Sequence, residues 1–214
     1  MVKVTQGPIG KQIADIYRKK TGIIILGYFG GAERNIITKN KPIWAIDNLK
    51  GLKMRTWEWS TMVNWWKALG AIPCVVAFTE VYTALQTGVV DGAENEFTTF
   101  DVNKWAEVCK YVARTQHNFT VRPLIIGENQ LKHLPADLQA IIIKAGADAS
   151  DYALQLETSM DHANKEMLKK KYGLRFTEPF KQDFIDRSLP ILRGYGKKIR
   201  REDVLNQIVE LAKE

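Results

Sequence analysis

Cysteine and histidine are scarce in this chain of 214 residues, with two cysteines, Cys74 and Cys109, and three histidines, His117, His133 and His162. Two cysteines without C-x-x-C spacing exclude a disulfide framework and indicate neither dithiol redox chemistry nor zinc. Each lies in an apolar stretch, as a small buried hydrophobe does, rather than at a place that suggests a bridge. The histidines are not at metal-ligand spacing, so no metal and no catalytic centre built on one is expected. Apolar runs are short: the longest, residues 22–29 and 124–127, are strand-sized and far below the roughly eighteen residues of a membrane span. A Gly-rich phosphate loop is missing too, because residues 27–31 lack the G-x-G-x-x-G pattern, and no cofactor is expected. The opening Met-Val-Lys-Val-Thr-Gln-Gly-Pro has one lysine but neither an apolar h-region nor a small-residue cleavage site, so it does not read as a secretory signal.

What the chain has is the composition of an ordinary globular protein, 45% hydrophobic and 26% charged, and enough length to bury a core without staples. Its formal charge of +7 is spread along the sequence, with short basic clusters only at residues 169–171 and 197–201. Both clusters read as solvated helix ends rather than a nucleic-acid patch, and the mild positive excess favours anionic solutes.

The pattern along the chain is α/β. Residues 9–20 carry apolar side chains at helical spacing and end at Gly22, and residues 23–29 suit a strand buried on both faces that Gly30 and Gly31 break. Residues 52–57, 61–69 and 72–76 read as strand, helix and strand. A further helix capped by Thr79 and closed by Gly88, then a strand at 89–91, extend this to β-α-β-α-β, which implies parallel sheet. In such sheets ligands bind beyond the carboxyl ends of the strands. After a helix near 102–110, two β-rich stretches, 111–115 and 119–127, run nearly end to end. Pro135 then opens a helix of about 37 residues, with apolar positions from 138 to 167 spaced by threes and fours and Gly173 beyond its end; its length suits a helix spanning two lobes.

Arg55 is the sharpest polar feature. An arginine inside an otherwise apolar strand sets a charge near the sheet's edge that needs an anionic partner. Its planar fork suits a guest carboxylate, and a salt bridge to a local acid such as Glu94 is an equal alternative. Trp57 and Trp59 follow the same strand and offer flat walls for a pocket or for packing, whereas Trp65 and Trp66 suit packing of a helix onto the sheet. Asp91, Glu94 and Glu96 follow another strand beside Asn95. No supporting nucleophile or base lies near them in sequence, so acid-base catalysis by Glu94 or Asp91 is the lesser reading.

Residues 49–95 resemble the substrate-binding subunits of tripartite ATP-independent periplasmic (TRAP) transporters, the DctP family. The resemblance rests on Leu-Lys-Gly-Leu-Lys-Met-Arg at 49–55, Trp-Lys-Ala-Leu-Gly-Ala-Ile-Pro at 66–73 and, above all, Phe-Thr-Glu-Val-Tyr-Thr-Ala-Leu-Gln-Thr-Gly-Val-Val-Asp-Gly-Ala-Glu-Asn at 78–95. Weaker similarity at 131–138, in the long helix and at 176–179 extends it over nearly the whole chain. It implies a two-lobed periplasmic solute-binding fold of mainly parallel sheets joined by crossing strands and a long shared helix. The function it implies is delivery of a small organic acid to TRAP membrane subunits in the periplasm, without enzymatic turnover. By this resemblance Arg55 holds the solute's carboxylate with Asn95 beside it, Trp57, Phe78 and Glu94 lie at the pocket, and Arg34 falls near an upstream arginine of the family. Family members also begin with a signal peptide and with about a third of the protein that this sequence lacks. The first lobe is therefore expected to be incomplete, formed by residues 1–31 and 121–160, with 32–120 and 161–214 as the second. Its exposed edge would then pair with another copy or a complementing chain; a truncated, non-binding scaffold unit is the alternative.

Overall fold

The computed structural model describes residues 2–212. In chain order its elements are α1 (Val2–Thr5), α2 (Pro8–Thr21), β1 (Ile23–Thr38), β2 (Lys53–Thr56), α3 (Ser60–Ala68), β3 (Ile72–Val75), α4 (Val81–Thr87), β4 (Gly92–Asn95), α5 (Phe97–Val102), α6 (Trp105–Val108), β5 (Tyr111–Gly127), α7 (Glu128–Lys132), α8 (Ala136–Tyr172), β6 (Arg175–Thr177), α9 (Lys181–Lys198) and α10 (Glu202–Leu211). The six strands are ordered β3-β2-β4-β1-β5-β6. β2 runs parallel to β3 and β4, and β5 to β6, while β1 is antiparallel to β4. This is the mostly parallel α/β sheet that the β-α-β-α-β pattern requires.

The described residues form two compact units, one from 2–32, 119–160 and 202–212 and the other from 33–118 and 161–201. The segment from residue 202, which the sequence grouped with 161–201, falls in the first unit, where α10 packs on α1 and α2.

In the second unit the period-two alternation of β1 sends neighbouring side chains to opposite faces of the sheet. Ile37 joins Val81, Leu85, Phe97, Phe100, Trp105, Cys109 and Leu168 in one core. Ile36 joins Ile43, Leu49, Met54, Trp65, Trp66 and Phe184 in the other. Trp66 and Trp65 therefore do pack α3 onto the sheet. Cys109 is buried and Cys74 half-buried, and both thiols are free.

Several local expectations shift. Thr79 lies in a 3-10 turn over Phe78–Glu80, and Glu80, without a side-chain capping bond, precedes α4. The next strand begins at Gly92 instead of residue 89, because Asp91 is held outside it: its carboxylate accepts the Lys53 N–H at 2.8 Å and its carbonyl the Lys39 N–H at 2.9 Å. The helix near 102–110 divides into α5 and α6 at Lys104, whose φ of 60° is left-handed.

In the first unit β1 does not stop at Gly30 and Gly31 but runs through both, at φ of 108° and 103°. Residues 23–29 are half-buried rather than buried on both faces. The α8 segment up to residue 160 also turns a different face inward from the one its apolar spacing suggests. Leu138, Ile141, Tyr152, Leu156 and Met160 are exposed. Gly146, Ser150 and the buried Leu154 make the inward face instead: a Cβ on Gly27 would meet Ser150 at 2.3 Å, and one on Gly146 would meet Leu26 at 2.6 Å. Close approach of helix to strand at the small residues, together with burial of Leu154, selects this face.

A Cβ on Gly30 would lie 2.2 Å from the Thr120 carbonyl oxygen, whereas one on Gly22, also at positive φ, meets nothing within 4 Å. Gly30→Ala is expected to cost about 2 kcal/mol or more and Gly22→Ala about 1 kcal/mol in denaturant unfolding. Equal costs at the two positions would contradict the close approach.

Candidate functional site

The carboxyl ends of β2 and β4 and the middle of β1 deliver the polar side chains of the second unit to one place. Parallel pairing of β2 with β3 and β4 brings these ends to the same sheet edge, and the β1–β4 register sets Asn35 opposite Asn95 and Ile36 opposite Glu94.

Arg55, only 4% exposed, donates from Nε to the Val76 carbonyl at 3.0 Å. Its guanidinium carbon lies 5.9 Å from the Trp57 ring centre and 5.8 Å from that of Phe78, within cation–π range. Among the described residues no carboxylate is within ion-pair distance of Arg55, and no acceptor takes its terminal nitrogens. Burial pulls its pKa below the ordinary value; Glu94 opposes this and Arg34 adds to it.

The salt bridge weighed for Arg55 is made by Arg34 instead. Arg34 grips Glu94 with a two-pronged pair, Nε to Oε2 at 2.7 Å and Nη2 to Oε1 at 2.8 Å, and Nη2 also reaches the Glu94 carbonyl at 3.4 Å. Glu94 is 1% exposed and takes a second contact at Oε2 from His117 Nε2, at 3.2 Å. The other ring nitrogen of His117 lies 2.7 Å from Thr115 Oγ1, and the ring stacks on Trp65 at 4.6 Å. Burial alone would raise the Glu94 pKa. Hydrogen bonds from His117 and Arg34, with their charges, outweigh it and hold the carboxyl at about 2.

Trp57 joins the two arginines: its ring is 5.5 Å from the Arg34 guanidinium carbon and lies stacked on Trp59 at 6.1 Å. Direct contacts therefore link Arg34, Arg55, Trp57, Phe78 and Glu94. Asn95 follows Glu94 on β4; its Oδ1 accepts the Glu96 N–H at 2.9 Å, and no contact joins its side chain to the other five. His117 is the member that sequence reasoning missed, because the histidines were weighed only as metal ligands. Its partner lies 23 residues away in sequence with no motif between them. Beside His117 a cavity of about 210 Å3 is lined by Trp59, Met62, Trp65, Ser188 and Leu192, among others. Among the described residues no group of three or more His, Cys, Asp or Glu side chains is placed to hold a metal.

A carboxyl held below its unfolded value stabilises the fold fully above that value, here 4.5, and loses this contribution as pH falls through 4.5 toward 2. Replacing Glu94 by Gln leaves Arg34 buried without its counter-charge and is expected to cost about 3 kcal/mol above about pH 5.5. Scanning calorimetry of both proteins should show this gap narrowing as the solution is made more acid. A gap independent of pH would contradict an ionised, paired Glu94.

Residues 1–198 match the family of bacterial extracellular solute-binding proteins, family 7, named DctP. A solute-binding protein of Sulfitobacter sp. strain NAS-14.1 is 34% identical over 197 residues, 92% of this chain and 59% of that protein. The C4-dicarboxylate-binding periplasmic protein DctP of Rhodobacter capsulatus is 38% identical over 151 residues, 71% of this chain and 45% of that protein. The chain thus spans about half the length of these relatives. Among solved structures, a TRAP periplasmic solute-binding protein from Sulfitobacter sp. NAS-14.1 with bound α-D-taluronate is 33% identical at a TM-score of 0.85, covering 96% of this chain and 67% of that one. With its fold, its length of match and its identity to these relatives, this chain belongs to the DctP family of bacterial extracellular solute-binding proteins.

Proposed function

We propose that this chain captures a small organic acid by its carboxylate, with Arg55 as the clamp, and serves a TRAP-type transporter in the periplasm as a binding module rather than an enzyme. The observation that carries this reading is a buried guanidinium whose terminal nitrogens have no partner among the described residues while the nearby acid is committed to another arginine. Such a fork is held in place by its Nε bond and by the flanking rings, so a guest carboxylate gains two charge-assisted hydrogen bonds without ordering the side chain first. Trp57 and Phe78 supply apolar walls beside it, and among the described residues nothing accepts a hydrogen bond from the Asn95 amide nitrogen.

Hydrolase or isomerase chemistry fits less well. A general base should titrate near working pH, but Glu94 is held at about 2, and Asp91 is engaged by the Lys53 N–H. The remaining alternative, a non-binding scaffold, differs in its response to acids. In thermal-shift screening against mono- and dicarboxylates, sugar acids and keto acids, the wild type is expected to rise in melting temperature with at least one acid. Arg55→Ala should keep the fold and weaken binding about 100-fold, since a guest charge is left without its partner. A wild type unmoved by every acid would favour the scaffold.

We propose in addition that the exposed stripe on α8, formed by Ile141, Tyr152, Leu156 and their neighbours, is covered by a second copy of the chain. Light scattering at micromolar concentration should give twice the chain mass; a monomer would count against it.

A further inference from the structure

Residues 187–201 hold six cations, Arg187, Arg193, Lys197, Lys198, Arg200 and Arg201, and no acid. Arg187 donates to the Ala68 carbonyl at 3.4 Å and Arg201 to the Arg200 carbonyl at 2.9 Å, but among the described residues none of the six forms an ion pair. The acids of α9 itself, Asp183 and Asp186, stand in its first two turns, and Glu202 and Asp203 follow at the start of α10. The helix packed against α9, α3, carries Lys67 and no acid. This end of α9 is therefore positive without local compensation.

An apolar stripe lies beside the charge. Ile185, Leu192 and Ile199 are 51%, 42% and 46% exposed, and their spacing of seven residues sets them in one line along the helix. Helical hydrogen bonding reaches Ile199, whose N–H donates to the Tyr195 carbonyl. The stripe is not the packing face. That face carries Phe184 in the core around Trp66, Ser188, whose Oγ accepts from Trp65 Nε1 at 2.6 Å, and Tyr195, edge-on to Trp59 at 6.2 Å. Arg193 and Lys197, four residues apart, edge the stripe on its solvent side, and Arg200 stands just beyond the last turn. Trp59, 39% exposed, lines the same cavity as Leu192 and adds an indole to the apolar border.

We infer that α9 docks on the surface of an anionic lipid bilayer, with Ile185, Leu192 and Ile199 toward the hydrocarbon and Arg193, Lys197 and Arg200 among the headgroups. An apolar line edged by cations lies in the plane of such an interface, where each basic side chain near the charged surface adds to binding. An acidic protein surface would meet the cations but set three large apolar side chains against charge. Among the described residues no helix is long and apolar enough to cross a membrane, so the contact is peripheral. No residue of the Arg55 cluster takes part, and the inference stands apart from carboxylate capture.

Flotation of the full chain with phosphatidylcholine vesicles, with and without phosphatidylglycerol, tests this. Binding is expected only where phosphatidylglycerol is present, and it should fall steeply as salt rises from about 0.1 M to about 1 M, where the screening length shrinks from about 10 Å to about 3 Å. Replacing Arg193, Lys197 and Arg200 together by Gln should weaken it about 100-fold without moving the melting temperature, because all three side chains are exposed. Ile185→Ser with Ile199→Ser should weaken it at least tenfold while leaving the charge unchanged. Equal binding to both vesicles, or a triple variant that binds as the wild type does, overturns the inference. Failure to bind either vesicle overturns it too and turns the search for a partner of these cations to acidic proteins.

Discussion

The ion pair between Arg34 and Glu94 is the interaction on which the site depends. A buried ion pair is a poor source of net stability, because dehydration of both charges offsets most of their attraction. Its value here is in allocation. By occupying Glu94, Arg34 keeps that buried acid from quenching Arg55, and the imidazole of His117 prevents it from turning away. Geometry alone therefore decides which of two neighbouring guanidinium groups is structural and which is available.

The sheet makes this allocation possible. β4 carries Gly-Ala-Glu-Asn, a sequence with little strand propensity, yet all four residues are buried. It is held because β2 and β1 flank it and because Gly92 admits a close approach in which a Cβ would lie 2.6 Å from the Ile37 carbonyl oxygen and 2.8 Å from Met54. Packing from both sides overrides local preference, and the strand's carboxyl end is then free to present acids and amides where an apolar sequence would present none.

Regular periodicity made much of the fold legible in the sequence. The β-α-β-α-β series, the 37-residue helix and its end at Gly173 follow from repeat spacing and from glycines that adopt left-handed conformations. Arg55 stood out because a charge inside an apolar strand is rare. What sequence could not decide was which arginine Glu94 would choose: 60 residues separate it from Arg34, and only the β1–β4 register makes them neighbours. His117 escaped notice for the same reason. The inward face of α8 departs from its apolar spacing because Gly27, Gly146 and Ser150 permit a tight contact beside the buried Leu154, which leaves several larger apolar side chains outside.

Cys109 lies in the core formed around Ile37, and burial pushes its thiol up to about 12 despite the opposing charge of Lys39. At neutral pH only about one such sulfur in 10⁵ carries the negative charge that lets it attack a disulfide or react with an oxidant. The folded chain therefore shields this sulfur from crosslinking in oxidising surroundings, and its folding does not wait on a bridge being made.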